Sequence, residues 1–148
     1  MAASFEGRLN EYFIVAGLGE DLVPQQSLPE GEPFEGEDFL PTEETENIHP
    51  LDLEYEPKIT DRFPFTDRPD VPFPDGIAMF CFPSGIKLTQ RMDLPTFSFF
   101  VHTNVMGERL YGTCLHFQEP LTAEQEARLR AAAAAHEDRQ RQRRTGTG

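Results

Sequence analysis

The side chains able to do chemistry in this 148-residue chain are few and scattered. Nucleophilic catalysis needs a Ser or Cys on a sharp, exposed elbow with a positioned His and an acid. The two thiols, Cys81 and Cys114, fall instead inside apolar runs that read as strands, where a cysteine packs as a small hydrophobe. His102 also falls within a strand pattern, with no acid set to orient it. His116 and Glu119 stand three residues apart, but at strand spacing they point to opposite faces, and no second ligand pair completes a zinc site. Ser84-Gly85-Ile86-Lys87 lacks the residue order and the following helix with which a P-loop cradles phosphate, so Gly85 reads as a turn residue. No catalytic, cofactor-binding or metal-binding residue is assigned. A protein-binding module rather than an enzyme is the expectation.

No CxxC pair and no signal peptide accompany the cysteines, which points to reduced, buried thiols in a cytoplasmic protein. A disulfide stays open, because the two segments are able to lie side by side. The formal net charge of −13 is unevenly placed: Glu20 to Glu56 holds 13 acidic residues and no Lys or Arg, whereas Arg128 to Arg144 holds six of the 13 basic residues. Phosphate binding needs a sustained basic surface, so no nucleic-acid partner is expected, and charge alone gives little attraction to an anionic membrane. No apolar stretch approaches the ~18 residues of a transmembrane segment.

The elements that would position these residues come next. Glu11 to Leu18, rich in aromatic and β-branched residues, reads as a buried strand. From Glu20 to Glu56 the aromatics are isolated among Glu, Asp, Pro and Gly, and the segment reads as loop or disorder, since it has too little apolar surface to offset chain entropy. Between Phe63 and Pro74, prolines alternate with Phe63, Phe65, Val71 and Phe73, which suits an extended strap laid on a sheet. Pro69 and Pro72 match a PxxP spacing, but the neighbouring Arg is wrongly placed for the usual SH3 ligand.

Three strand patterns follow, at Gly76–Phe82, Thr96–Thr103 and Arg109–Phe117. The short Asn104-Val105-Met106-Gly107 connection makes the last two an antiparallel hairpin. Tyr111, Thr113, Leu115 and Phe117 point to one side, and Leu110, Gly112, Cys114 and His116 to the other. Both faces carry apolar residues, so the sheet should be covered on both sides, or become so when a partner docks. Phe99, with Phe97 and Val101, is expected in the buried face, and the strand from Tyr12 to Leu18 in the same sheet as Ile77–Phe82 and Phe97–Phe117. Thr122 and Gln125 form a capping-box pattern that opens an alanine-rich helix with acids early and arginines late. With Leu129 almost its only large apolar residue, that helix should be exposed and fraying, ahead of a disordered Thr-Gly-Thr-Gly end.

One stretch resembles a known family. Pro72 to Gly85, Pro95 to Thr103 and Arg109 to Phe117 are similar to the upstream DENN (uDENN) domain, in which an apolar strand ends in Cys-x-Pro-x-Gly, a Phe-rich strand follows, and a Tyr-Gly-x-x-Leu-x-Phe strand completes the hairpin. Glu11 to Leu18 is similar to the family's first strand, and Arg62-Phe63-Pro64 sits where such proteins carry Arg/Lys-aromatic-Pro. The resemblance implies an α/β fold: a longin-like antiparallel sheet with a flanking helix, the N-terminal part of an incomplete DENN module. It implies a Rab-type small GTPase as partner, together with a central DENN lobe if the protein is longer, and a cytoplasmic location that extends to the periphery of vesicle membranes. On this division residues 1–19 hold the first strand, 20–56 the acidic insert, 57–121 the core strands, and 122–148 the exposed helix and tail. Two alternatives stand beside it: the regulatory uDENN lobe of a myotubularin-like lipid phosphatase or pseudophosphatase, and a stand-alone longin-like adaptor.

Overall fold

The aromatic and β-branched run Phe13–Leu18 forms strand β1, as its composition dictates. The computed structural model describes residues 7–25 and 43–146. After β1 come a short helix α1 (Glu43–Glu46), strands β2 (Glu54–Tyr55) and β3 (Pro57–Phe63), helix α2 (Ile77–Cys81), strands β4 (Ile86–Lys87), β5 (Thr96–Thr103) and β6 (Arg109–His116), and the long helix α3 (Ala123–Thr145). The strands pair as three antiparallel ladders, β1 with β3, β2 with β4 and β5 with β6. This is a mixed α/β architecture of small antiparallel sheets and a C-terminal helix.

Three expectations change. First, β1 pairs with Pro57–Phe63 and not with the hairpin strands. The β3 strand escaped notice because its period is broken: Val15 faces Asp61 while Ala16 faces Ile59, so Thr60 is the extra residue of a bulge. Second, Ile77–Cys81 is a helix where a strand was expected. A short apolar run does not reveal its own period; here Gly76 in a left-handed turn starts a helix that buries Ile77, Ala78 and Cys81 along one side.

Third, α3 docks. Gln125, Leu129 and His136 are buried on one face, at positions that share a side of a helix. Leu129 joins Leu22 and Tyr55 in the core cluster, with Leu18, Leu53, Leu88 and Leu121 packed around them. Gln125 Nε2 donates to the carbonyl of Leu18 at 3.1 Å, and its Oε1 accepts from Thr122 N–H at 2.9 Å, closing the capping box. Alanines 131, 132 and 135 line a recess against Leu22, Leu53 and Tyr55, so small side chains let the core segment approach where no large apolar stripe exists.

The acidic segment is likewise corrected at its described ends. Tyr55 is 2% exposed and its hydroxyl donates to the Pro50 carbonyl at 2.6 Å, while Pro24 bridges to Tyr55. Residues 26–42 lie outside the described residues, as do 147–148 of the Thr-Gly end.

Candidate interaction surface

The hairpin is built from its turn outward. The Asn104 side-chain oxygen accepts from the backbone N–H groups of Met106 (3.0 Å) and Glu108 (2.9 Å), and Gly107 adopts φ 82°, a conformation that favours glycine. This turn sets the register Phe97↔Leu115, Phe99↔Thr113 and Val101↔Tyr111 on one face, and Ser98↔Cys114, Phe100↔Gly112 and His102↔Leu110 on the other. The expected alternation is present.

The covered face is the second one, half-buried along both strands. It rests on α2 and the turn after it: Phe80 lies against Phe100 (ring centroids 5.6 Å) and His102 (5.2 Å), and Phe82 against His116 (5.4 Å). Ser98 Oγ and His116 Nε2 are 2.7 Å apart, a cross-strand hydrogen bond with no carboxylate to orient the imidazole among its described contacts. His102 Nδ1 is buried with no hydrogen-bond partner among the described residues. Burial, with a hydrogen-bonding contact to Cys114, pushes the Cys81 thiol up to about 12, so at neutral pH it is protonated and a poor nucleophile. Both cysteines are free thiols. Cys81 sits on the helix rather than in a strand, and Cys114 remains in β6.

The first face points away. Phe97, Phe99, Val101, Tyr111 and Leu115 are exposed, Phe99 at 78%. The expectation that Phe99 lies in a buried face is therefore wrong, and the reason is an inverted polarity. The hairpin turns its two histidines, Ser98 and Gly112 inward onto α2, and leaves its more apolar side bare among the described residues. Neither β5 nor β6 pairs with a third strand among the described residues.

The strap from Phe63 to Pro74 is locked by Arg62. Its guanidinium lies 4.2 Å from the Phe73 ring centroid and donates to Asp67 at 2.7 Å and to the Pro64 carbonyl at 3.1 Å. Tyr12 meets Phe73 edge-on at 5.0 Å, and its hydroxyl accepts from Arg68 N–H at 2.7 Å. Sequence reasoning placed Arg62 as a marker; the structure makes it the clamp between strap and sheet.

Among the described residues, no three His, Cys, Asp or Glu side chains converge as a metal-ligand set. His116 lies on the α2-facing side of β6, and Glu119 is exposed beyond the strand. What the arrangement offers is a two-stranded, exposed apolar surface on a supported hairpin. Such surfaces mark association sites.

Two fungal proteins, each named "Elicitor of plant defense protein 1", are similar to this chain. The protein of Verticillium dahliae is 33% identical over 85 residues, which cover 53% of this chain and 7% of that protein. The protein of Fusarium odoratissimum is 33% identical over 85 residues, covering 53% of this chain and 9% of its own length. The chain thus spans under a tenth of either relative. No solved structure matches it. Residues 57–117, the segment that holds β3, α2, β4 and the β5–β6 hairpin, match the uDENN domain model, in agreement with the resemblance that the residue pattern carries.

Proposed function

We propose that this chain is the N-terminal lobe of a DENN-type guanine-nucleotide exchange module. In this reading a longin-like α/β lobe acts with a central DENN lobe elsewhere in the protein to bind a Rab-type small GTPase in membrane traffic. The observation that supports it is the uDENN match over residues 57–117, within which the more apolar face of β5–β6 stands uncovered. A lobe that buried its best apolar face internally would have little left to offer a partner. Residues 1–19 and 57–121 supply the lobe, 20–56 an insert whose described ends pack onto it, and 122–148 a flanking helix and tail.

The mechanism is linkage. A factor that binds the nucleotide-free GTPase more tightly than the loaded form weakens nucleotide affinity by the same factor, and no proton transfer by this chain is needed. The exchange surface is shared between lobes, and each half alone still meets the rigid-body cost of association. The chain would act in the cytoplasm, peripheral to vesicle membranes through its GTPase. No helix among the described residues is long and apolar enough to cross a membrane.

Immobilised chain should retain at least one member of a Rab panel more strongly in its nucleotide-free than in its GDP-bound form. Added alone in solution, it should leave the release rate of a fluorescent GDP analogue unchanged. Equal retention of both forms across the panel would sink the reading, and a concentration-dependent rise in release rate would make this chain a minimal exchange factor. The relatives' name supports a second reading, in which this chain takes part in eliciting plant defence. Infiltration of the purified chain into leaves, with no defence marker above the buffer control, would count against it.

A further inference from the structure

We infer that the uncovered face of the β5–β6 hairpin is covered, in the chain on its own, by a second copy of the same chain packed face to face about a two-fold axis. The area fits. Phe97, Phe99, Val101, Tyr111 and Leu115 are each 47–78% exposed. An aromatic side chain offers about 150–250 Å², so these five leave roughly 600 Å² in water, and about 800 Å² once Thr113, Phe117 and the stem of Arg109 are added. That is at the top of what a lone monomer tolerates as a patch, and close to the ~800 Å² that each partner contributes to a stable interface.

The chemistry fits a copy better than a charged partner. Phe97, Phe99, Val101, Thr103, Arg109, Tyr111, Thr113 and Leu115 include no carboxylate, although the chain carries a net charge of −13. The acids are concentrated between Glu20 and Glu56. Arg109 is the lone charge of the face and stands at the turn end, opposite Thr103. A two-fold axis lying across the strands sets each Arg109 over the partner's Phe97 and Leu115 end and away from its own copy. A guanidinium over an aromatic face is attracted there. Two twisted strand pairs stack with their strands nearly aligned and their side chains interleaved, as in sheet packing generally, and a two-fold pair closes without leaving a sticky face open.

Pairing of this kind carries a signature. Two chains of −13 repel, so added salt should tighten the pair by screening, the reverse of a contact driven by opposite charges. The pair would occupy the same face that the proposed function offers to a GTPase, so a bound GTPase should displace the second copy; the sedimentation experiment contains no GTPase and reads the pairing alone.

Sedimentation equilibrium of the whole chain from about 1 to 200 μM, at about 20 and 300 mM salt, tests it. The expected result is a monomer–dimer equilibrium that shifts toward dimer at the higher salt. Phe99→Asp should weaken it by about tenfold or more, the equivalent of placing one unpaired charge in a buried face. Thr113→Arg, directly opposite Phe99, should do the same without removing an aromatic ring. Leu9→Asp, an exposed residue outside the hairpin, should leave it unchanged. Unaltered far-ultraviolet circular dichroism confirms that each variant folds. A single-chain mass at every concentration and both salts would overturn the proposal. So would a dimer that survives both hairpin variants, or a mass that keeps growing beyond two chains.

Discussion

Phe100 on β5 lies across Gly112 on β6, its ring atoms 2.1 to 2.6 Å from where a Cβ on that glycine would stand. Nothing larger than hydrogen fits beneath the ring. Gly112→Ala should therefore force Phe100 off its seat against Phe80, at a cost of about 1–3 kcal/mol for overpacking. Urea unfolding of the variant checks this: an unchanged midpoint would mean that the ring moves freely.

The two faces of the hairpin should respond in opposite ways to the same substitution. Phe99 points to solvent, so Phe99→Ala should change stability by no more than about 0.5 kcal/mol at a concentration where the chain is monomeric. Phe100 is half-buried against Phe80, and Phe100→Ala should cost about 2 kcal/mol or more. Denaturant midpoints of the pair decide it, and equal losses would put Phe99 back in a core.

Leu129 ties α3 to Leu22 and Tyr55. Removing its side chain should cost about 2–4 kcal/mol, and α3 should lose amide protection well beyond its ends, since an isolated helix of this kind is marginal in water. Hydrogen exchange on Leu129→Ala reads both. Protection that is unchanged along the helix would mean that α3 needs no docking.

Acid should weaken the fold through three carboxylates. The Lys58 ammonium holds Asp21 below the usual value of 3.8, the Arg62 guanidinium does so for Asp67, and the Arg8 guanidinium for Asp70. A carboxyl group with a depressed folded-state value contributes stability that is complete above the unfolded value, near 3.8, and is lost as pH falls through the folded one. Urea midpoints should thus drop below about pH 4. Asp67→Asn should flatten that drop, and Asp61→Asn, at a group outside these pairs, should not. All three are surface pairs, so each effect is small.

The hairpin was legible from its residues because every signal agreed: period-two alternation in β5 and β6, Asn104 and Gly107 at the turn, and Gly112 opposite a bulky Phe. The capping box at Thr122 and Gln125 was legible for the same reason, since it rests on two residues three apart and not on tertiary context. Which face of the hairpin is covered was not legible. Hydrophobicity alone sends Phe97, Phe99 and Val101 inward, and only the position of α2, itself hidden in an apolar run without a period, decides otherwise. The docking of α3 was missed because a recess can be made by alanines as well as by a stripe of leucines. The Arg62 clamp was visible as a letter, but its ring and carboxylate partners come from Tyr12 and from the strap beyond Pro64, and no local pattern joins them.

The three ladders differ in how far apart along the chain their strands lie. β5 and β6 are joined by a tight turn, whereas β1 meets β3 across a separation of about 40 to 50 residues, from Leu18↔Pro57 to Phe13↔Phe63. During synthesis at ~5–20 residues per second, the hairpin closes almost as soon as its second strand emerges, while β1 waits several seconds for its partner. For that interval Phe13, Ile14, Val15 and Leu18 are an apolar strand without its partner. The vulnerable moment of this fold is thus the wait for β3, and it falls on a ladder other than the β5–β6 hairpin.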